Sequence, residues 1–303
     1  MVLFICKHIL NGNAEIDSIR RLIMEFTKVG NEQITLLMIG TALFIVIPII
    51  VAITWTIRKK ERFSTVIVGA LTFLVFAIIL EKPIQNVLVF PVQMGLAEHG
   101  ASRFINARPV LWAFIVGLFP GVFEETGRLV AYKSVLKNRN NKETSISYGI
   151  GHGGFEVMLI LGLTFITYIS YSFMINAGTF NTVVEQVLRQ APDQADQIYA
   201  IADKIATFSV SDLAVNVIER ISAVIYHIGA SIMVFYACRE RKYFWLYPLA
   251  ILIHTLMDGF LALTLVNVID ISEWAFEGLA AVCSLTVFFT AYLMLYKKDK
   301  GDL

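Results

Sequence analysis

Seven long apolar stretches recur along the chain, each close to the length of about 20 residues that a helix needs to cross roughly 30 Å of hydrocarbon. They lie at about 34–57, 63–80, 109–132, 145–174, 213–237, 244–268 and 274–296. A shorter stretch at 83–97 contains Pro83 and Pro91 and is too broken to predict a span of its own. The pattern predicts an all-α, polytopic membrane bundle of about seven transmembrane helices, with residues 1–303 forming a single domain.

The longest interval between spans, at about 176–212, has its own helical periodicity. Acidic residues from Glu185 to Asp212 are interspersed with apolar residues at helical spacing, and Pro192 divides the interval into halves. This spacing predicts two amphipathic helices lying on the outer membrane surface. Both a structural cover and a lid that gates substrate are consistent with the pattern.

Composition and charge support a membrane location. The chain is 57% hydrophobic and 16% charged, with a net charge of +1, so no overall basic field favours nucleic acid as a partner. Clusters of basic residues follow spans one, three, five and seven, and the positive-inside rule therefore predicts an outside N-terminus and an inside C-terminus in the cell membrane. The main clusters contain Arg58, Lys59, Lys60, Arg62, Lys133, Lys137, Arg139, Lys142, Arg239, Arg241, Lys242, Lys297, Lys298 and Lys300.

Ionisable side chains inside the predicted spans are the strongest functional signal. Such groups cost several kcal/mol in hydrocarbon unless they are paired, and they commonly mark functional sites. They are Glu124, Glu125 and Arg128 in span three, His152 and Glu156 in span four, Glu219, Arg220 and His227 in span five, and His254 and Asp258 in span six.

Four of these residues lie at similar depth. Counted from the predicted cytoplasmic ends, Glu124, His152, His227 and His254 are about eight to eleven residues in, or roughly 12–16 Å at about 1.5 Å per residue. Residues on different helices can act together only at one level. The depths therefore predict a shared polar layer.

Spacing within each helix indicates which groups share a face. Arg128 follows Glu125 by three residues and Glu124 by four, so it can neutralise one of these glutamates while the other points about 100° away. His152 and Glu156 are four residues apart, as are His254 and Asp258. A carboxylate beside an imidazole can fix its tautomer, as at metal and general-base sites.

These residues form ordered runs that resemble a known superfamily. Glu124-Glu125-Thr126-Gly127-Arg128, then Tyr148-Gly149-Ile150-Gly151-His152, then His227, then His254-Thr255-Leu256-Met257-Asp258 resemble the motifs of the type II CAAX prenyl protease superfamily. The likeness is closest to its YhfC branch, with PrsW-type proteases nearby, and it covers 120–260 as a catalytic helical core. Arg128 comes one position earlier than the basic residue of the CAAX proteases proper, and Tyr148 stands where they usually have Phe. These departures make prenylated substrates less expected than proteolysis itself.

The resemblance implies an intramembrane peptidase that acts on membrane proteins or peptides. Glu124 would activate a water together with His152, and the other polar residues would stabilise the oxyanion or hold a divalent metal such as zinc. The implied catalytic residues are Glu124, Glu125, His152, His227, His254 and Asp258, the implied metal ligands are His152, His227 and His254, and the supporting residues are Arg128 and Glu156. Both a metal-free glutamate mechanism and a metallopeptidase mechanism remain open at this point.

Two other classes of function are compatible with a buried Glu/His/Asp layer. A proton- or ion-coupled transporter also places such residues at mid-membrane, although the sequence shows none of the inverted repeats typical of carriers. A catalytically silent membrane scaffold would not be expected to keep both glutamates and all three histidines.

Overall fold

The computed structural model describes residues 26–190 and 195–299, and these residues form helices and connecting segments with no β-strand among them. The helices are α1 (Asn31–Lys59), α2 (Phe63–Val89), α3 (Gly100–Asn106), α4 (Pro109–Lys133), α5 (Glu143–Asn176), α6 (Asn181–Gln190), α7 (Ala195–Ala206), α8 (Val210–Arg239), α9 (Leu246–Leu265) and α10 (Glu273–Tyr296). Seven of them are long and apolar enough to cross a membrane: α1, α2, α4, α5, α8, α9 and α10. The predicted all-α class and its seven spans are confirmed, and the chain is a multi-pass membrane protein. The orientation of its termini stays a prediction.

Helix α2 is longer than the sequence predicted. The sequence predicts a second span at 63–80 and a separate broken stretch at 83–97, but the helix continues to Val89. Its residues Leu74–Glu81 form a π-helical segment, after which the Lys82 N–H bonds to the Ala77 carbonyl, five residues back. Pro83 then falls in the first turn of the next α-helical segment, a position that tolerates its missing N–H.

The described residues divide into two compact units. One comprises 26–41, 163–190 and 195–213, and the other comprises 42–162 and 214–299. Every ionisable residue that the sequence placed in the polar layer belongs to the second unit.

In the first unit, aromatic packing and one amide organise the described residues. The rings of Phe165 and Phe208 meet edge to face with centroids 5.5 Å apart. The Asn176 side chain accepts a hydrogen bond from the Val29 N–H at 2.8 Å and donates one to the Val29 carbonyl at 2.9 Å. This amide therefore satisfies backbone groups just before the start of α1.

The interval predicted to contain two amphipathic helices does contain α6 and α7. Their apolar positions Val184, Ile198 and Ile205 are buried. Pro192, which we expected to divide them, lies outside the described residues. Their location on the membrane surface stays a prediction.

In the second unit, glycines allow the helices that carry the polar layer to pack closely. A methyl group at Gly151 of α5 would collide with the backbone of Val66 in α2, and one at Gly69 of α2 would collide with the Tyr148 carbonyl in α5. Gly149 faces the backbone of Ile228 in α8 in the same way. Small residues let membrane helices approach closely enough for such backbone contact. The glycines around His152 thus bring α5 against α2 and α8.

The Gly151→Ala variant tests this packing. We expect the added methyl to destabilise the protein by about 1–3 kcal/mol, because backbone atoms cannot move aside as flexible side chains do. The control is Gly278→Ala in α10, where a methyl group would enter open space. It should be neutral or slightly stabilising, because alanine favours a helix. Thermal unfolding in detergent compares the two, and equal melting temperatures for both variants would contradict the packing.

Candidate functional site

The two adjacent glutamates of α4 have different partners. Glu124 Oε2 lies 2.9 Å from His152 Nε2 on α5. Glu125 pairs within α4, where its two oxygens accept hydrogen bonds from Arg128 Nε at 3.0 Å and Nη2 at 3.2 Å. All four side chains are buried. Because neighbouring helical residues point about 100° apart, one glutamate neutralises the arginine and the other faces α5.

Arg128 is fully buried and joins α4 to α8. Besides Glu125, it donates to the His227 carbonyl at 2.9 Å, to the Ser231 hydroxyl and to His227 Nδ1 at 3.2 Å. A guanidinium can only donate, so His227 Nδ1 must accept, and the neutral ring then carries its proton on Nε2. Arg128 therefore fixes both the position and the tautomer of His227.

Glu156 of α5 connects His227 to a second arginine. Its Oε2 lies 2.6 Å from His227 Nε2, and its Oε1 accepts a hydrogen bond from Arg220 Nη1 at 3.2 Å. Arg220 also pairs with Glu219, its neighbour on α8. The sequence grouped Glu156 with His152, on the same face of α5, but its close contacts are to α8.

His254 of α9 lies between two carboxylates. Its Nδ1 is 3.0 Å from Glu125 Oε1, and its Nε2 is 3.5 Å from Asp258 Oδ2. The His254 side chain is only 6% exposed, whereas that of Asp258 is 39% exposed. Two flanking acceptors favour a ring protonated on both nitrogens. The layer is most accessible at Asp258.

Four of the residues form a group that could hold a metal ion. Glu124, His152, Glu156 and His227 each offer one ligand atom, and these atoms all lie within 4.8 Å of one another. The buried His152 Nδ1 has no hydrogen-bond partner among the described residues, and Glu156 Oε2 has His227 Nε2 as its neighbour at 2.6 Å. Two imidazoles and two carboxylates are a ligand set that zinc accepts.

The charges around this group also favour a cation. Among the described residues, Glu124 has no lysine or arginine within ion-pair distance, and Arg220 is shared between Glu156 and Glu219. The group therefore carries uncompensated negative charge in a setting where such charge is costly. A divalent cation would neutralise it, and binding through His227 Nε2 would place the ring proton on Nδ1, so the 3.2 Å contact of Nδ1 with Arg128 would have to lengthen. The residues thus fit a bound divalent metal.

The structure brings together all the side chains that the sequence singled out. Glu124, His152, His227 and Glu156 form the four-residue group, and Glu125, Arg128, His254 and Asp258 form a chain of contacts beside it. Of the three histidines that the resemblance implied as metal ligands, His152 and His227 belong to the group. His254 lies outside it, between its two carboxylates.

Sequence reasoning gave no role in the site to two charged residues, the partly buried Arg220 and the fully buried Glu81. The sequence placed Arg220 in span five beside Glu219, and its bond to Glu156 depends on how α5 and α8 are rotated. Glu81 lies just beyond the predicted second span at 63–80, in front of the stretch that Pro83 and Pro91 interrupt. The tolerance of proline in the first turn of a helix was the signal that could have extended the span.

Removing Arg128 tests how the buried charges depend on one another. Arg128→Met leaves the Glu125 carboxylate without its cation, and we expect a loss of roughly 3–5 kcal/mol in the free energy of unfolding. The double variant Glu125→Met/Arg128→Met removes both charges and should lose less. Denaturant unfolding of the purified proteins in mixed micelles measures the free energy of unfolding of the single and the double variant. As a control, Arg189→Met breaks an exposed pair with Glu185 and should cost under about 1 kcal/mol. A double variant at least as unstable as Arg128→Met would contradict this interpretation.

Comparisons with known proteins match most of the chain. A family model described as YhfC intramembrane metalloprotease matches residues 43–280, a range that contains every residue of the site. The protein named "Uncharacterized membrane protein YhfC" from Bacillus subtilis (strain 168) is 32% identical over 232 residues, which cover 76% of this chain and 84% of that protein. No solved structure matches. The chain therefore belongs to the YhfC family of intramembrane metalloproteases.

Proposed function

We propose that this protein is an endopeptidase that hydrolyses peptide bonds of membrane-embedded proteins or peptides, using a water activated by Glu124 and His152. The observation that carries the proposal is the buried Glu124–His152 pair at 2.9 Å, adjacent to Glu156 and His227 in one compact group. The ordered motifs that resemble the type II CAAX prenyl protease superfamily support the same chemistry. His152, Glu156 and His227 would hold a divalent cation such as zinc and leave one position open for water, while Glu124 of the same group would stay free to act as the base. The cation would acidify the water and polarise the substrate carbonyl.

Glu124 is the residue placed to move protons. It takes a proton from the attacking water as the water oxygen bonds to the carbonyl carbon of the substrate. When the carbon–nitrogen bond breaks, the same proton passes from Glu124 to the leaving nitrogen, so the products are a carboxylic acid and an amine. His152, bonded to Glu124 Oε2, holds the carboxylate in position for both transfers.

His254 supplies positive charge beside the reacting carbonyl. Its position between Glu125 and Asp258 favours the imidazolium, which stabilises negative charge as it develops on the carbonyl oxygen. Arg128 holds Glu125 in place, and Glu125 in turn orients the His254 ring. Arg128 and Glu125 are therefore positioning residues.

Cleavage of a quenched transmembrane peptide in proteoliposomes tests the proposal. Wild-type protein should cleave the peptide. The Glu124→Gln variant and the His152→Ala variant should each lower the cleavage rate by about 10²-fold or more, because each substitution breaks the Glu124–His152 pair that transfers the proton. Glu98→Gln is the control, since Glu98 is exposed in the segment between α2 and α3.

Full cleavage by Glu124→Gln would contradict the proposed mechanism. If the wild type leaves a panel of such peptides intact, a pH-sensitive dye inside the vesicles distinguishes the other two classes. Proton flux that depends on added substrate would indicate a transporter. The absence of both activities would indicate a scaffold.

A further inference from the structure

Glu81 is a buried carboxylate at the end of the π-helical segment of α2. Its side chain is fully buried, and in an apolar span this costs several kcal/mol unless both oxygens are bonded. Oε1 accepts a hydrogen bond from Lys82 Nζ at 3.0 Å. Oε2 is buried and has no hydrogen-bond partner among the residues that the structure describes. One acceptor of this carboxylate is therefore available.

Contacts between α2 and α4 define the level of Glu81. Phe76 packs against Gly127, and Gln85 Nε2 donates to the Val116 carbonyl at 3.2 Å. That carbonyl is available because Pro120, four residues later, has no N–H to donate to it. Glu81 lies between Phe76 and Gln85 in α2, so it is level with the part of α4 that contains Glu124.

Contacts between α4 and α9 place Asp258 at the same level. Gly117 of α4 packs against the backbone of Gly259, and Gly121 packs against Thr255. Asp258 is next to Gly259 in the chain, and its carboxylate interacts electrostatically with Glu81. Glu81 interacts in the same way with His254 and Glu124. Glu81 is thus close enough to the charged residues of the site to interact with them, at the level where Asp258 is exposed.

A peptide substrate in this site needs what Glu81 offers. A transmembrane helix must unwind to present a scissile carbonyl, and each backbone N–H freed in this way costs several kcal/mol if no acceptor receives it. We propose that Glu81 Oε2 accepts a hydrogen bond from a backbone N–H of the bound substrate beside the scissile bond. Glu81 is then a substrate-positioning residue of the site, an inference that rests on the proposed peptidase function.

The pairing with Lys82 explains why a carboxylate is required. A carboxylate accepts from Lys82 and from the substrate at once, whereas the amide of Gln has a single oxygen. In Glu81→Gln that oxygen faces Lys82, and the amide NH₂ is turned towards the substrate N–H. Removing the ammonium as well, in Glu81→Gln/Lys82→Met, lets the amide turn its oxygen to the substrate.

Kinetics on one cleaved peptide test this arrangement. Glu81→Gln should raise KM about tenfold, in line with a lost hydrogen bond to a charged group, and the double variant should recover to within about threefold of wild type. A merely structural role for Glu81 would give no such recovery. Glu98→Gln is again the control and should match wild type.

Single amide-to-ester replacements in the peptide identify the donor. With the wild-type enzyme, the ester replacement at one position near the scissile bond should raise KM about tenfold, because the peptide has lost the N–H that Glu81 accepts. The same ester should have no further effect on Glu81→Gln. If every ester affects wild type and Glu81→Gln equally, or if the double variant does not recover, the proposal is overturned. If Glu81→Gln does not fold, Glu81→Met/Lys82→Met takes its place in the ester comparison.

Binding measured separately from cleavage distinguishes this proposal from the proposed function. Fluorescence anisotropy of the same labelled amide and ester peptides is measured with Glu124→Gln protein, with and without Glu81→Gln. Loss of affinity from one ester, seen only when Glu81 is present, supports the hydrogen bond even if wild type cleaves nothing. Equal affinities for all amide and ester peptides overturn it even if wild type cleaves.

Discussion

Charge buried in hydrocarbon is the constraint on which this structure depends. An arginine or glutamate inside a membrane span is stable only with partners, and Arg128 shows how completely that demand is met. It donates to Glu125 on its own helix and to His227 and Ser231 on α8. Since Glu125 also contacts His254, one guanidinium sets the positions of residues on three helices.

The carboxylates that are not fully neutralised are the ones suited to chemistry. Within the described part of the chain, Glu124 has only His152 as its close partner, and Glu156 shares Arg220 with Glu219. In the same part of the chain, Glu81 keeps one oxygen without a hydrogen-bond partner. In a setting where unpaired charge is costly, these incomplete pairings indicate where a cation, a water or a substrate N–H completes the site. Structural and functional carboxylates thus differ in how fully the protein itself satisfies them.

The sequence predicted those features of the structure that depend on one helix alone. Apolar length alone predicts the seven spans, and a three-residue spacing predicts that Arg128 can pair with Glu125. Contacts between helices were harder to predict, because they depend on rotations that the sequence does not show. Glu156 was grouped with His152 by spacing, yet it contacts His227 on α8. The π-helical segment of α2 also escaped prediction, because no local pattern distinguishes it from an ordinary turn.

The most direct test of the central claim is the metal content of purified variants. The account predicts that wild-type protein, reloaded with zinc and then desalted, retains about one ion per chain. Glu156→Gln should lose it, because Glu156 belongs to the four-residue group, whereas His254→Gln should retain it, because His254 lies between two carboxylates outside that group. Zinc lost from His254→Gln and kept by Glu156→Gln would contradict the account.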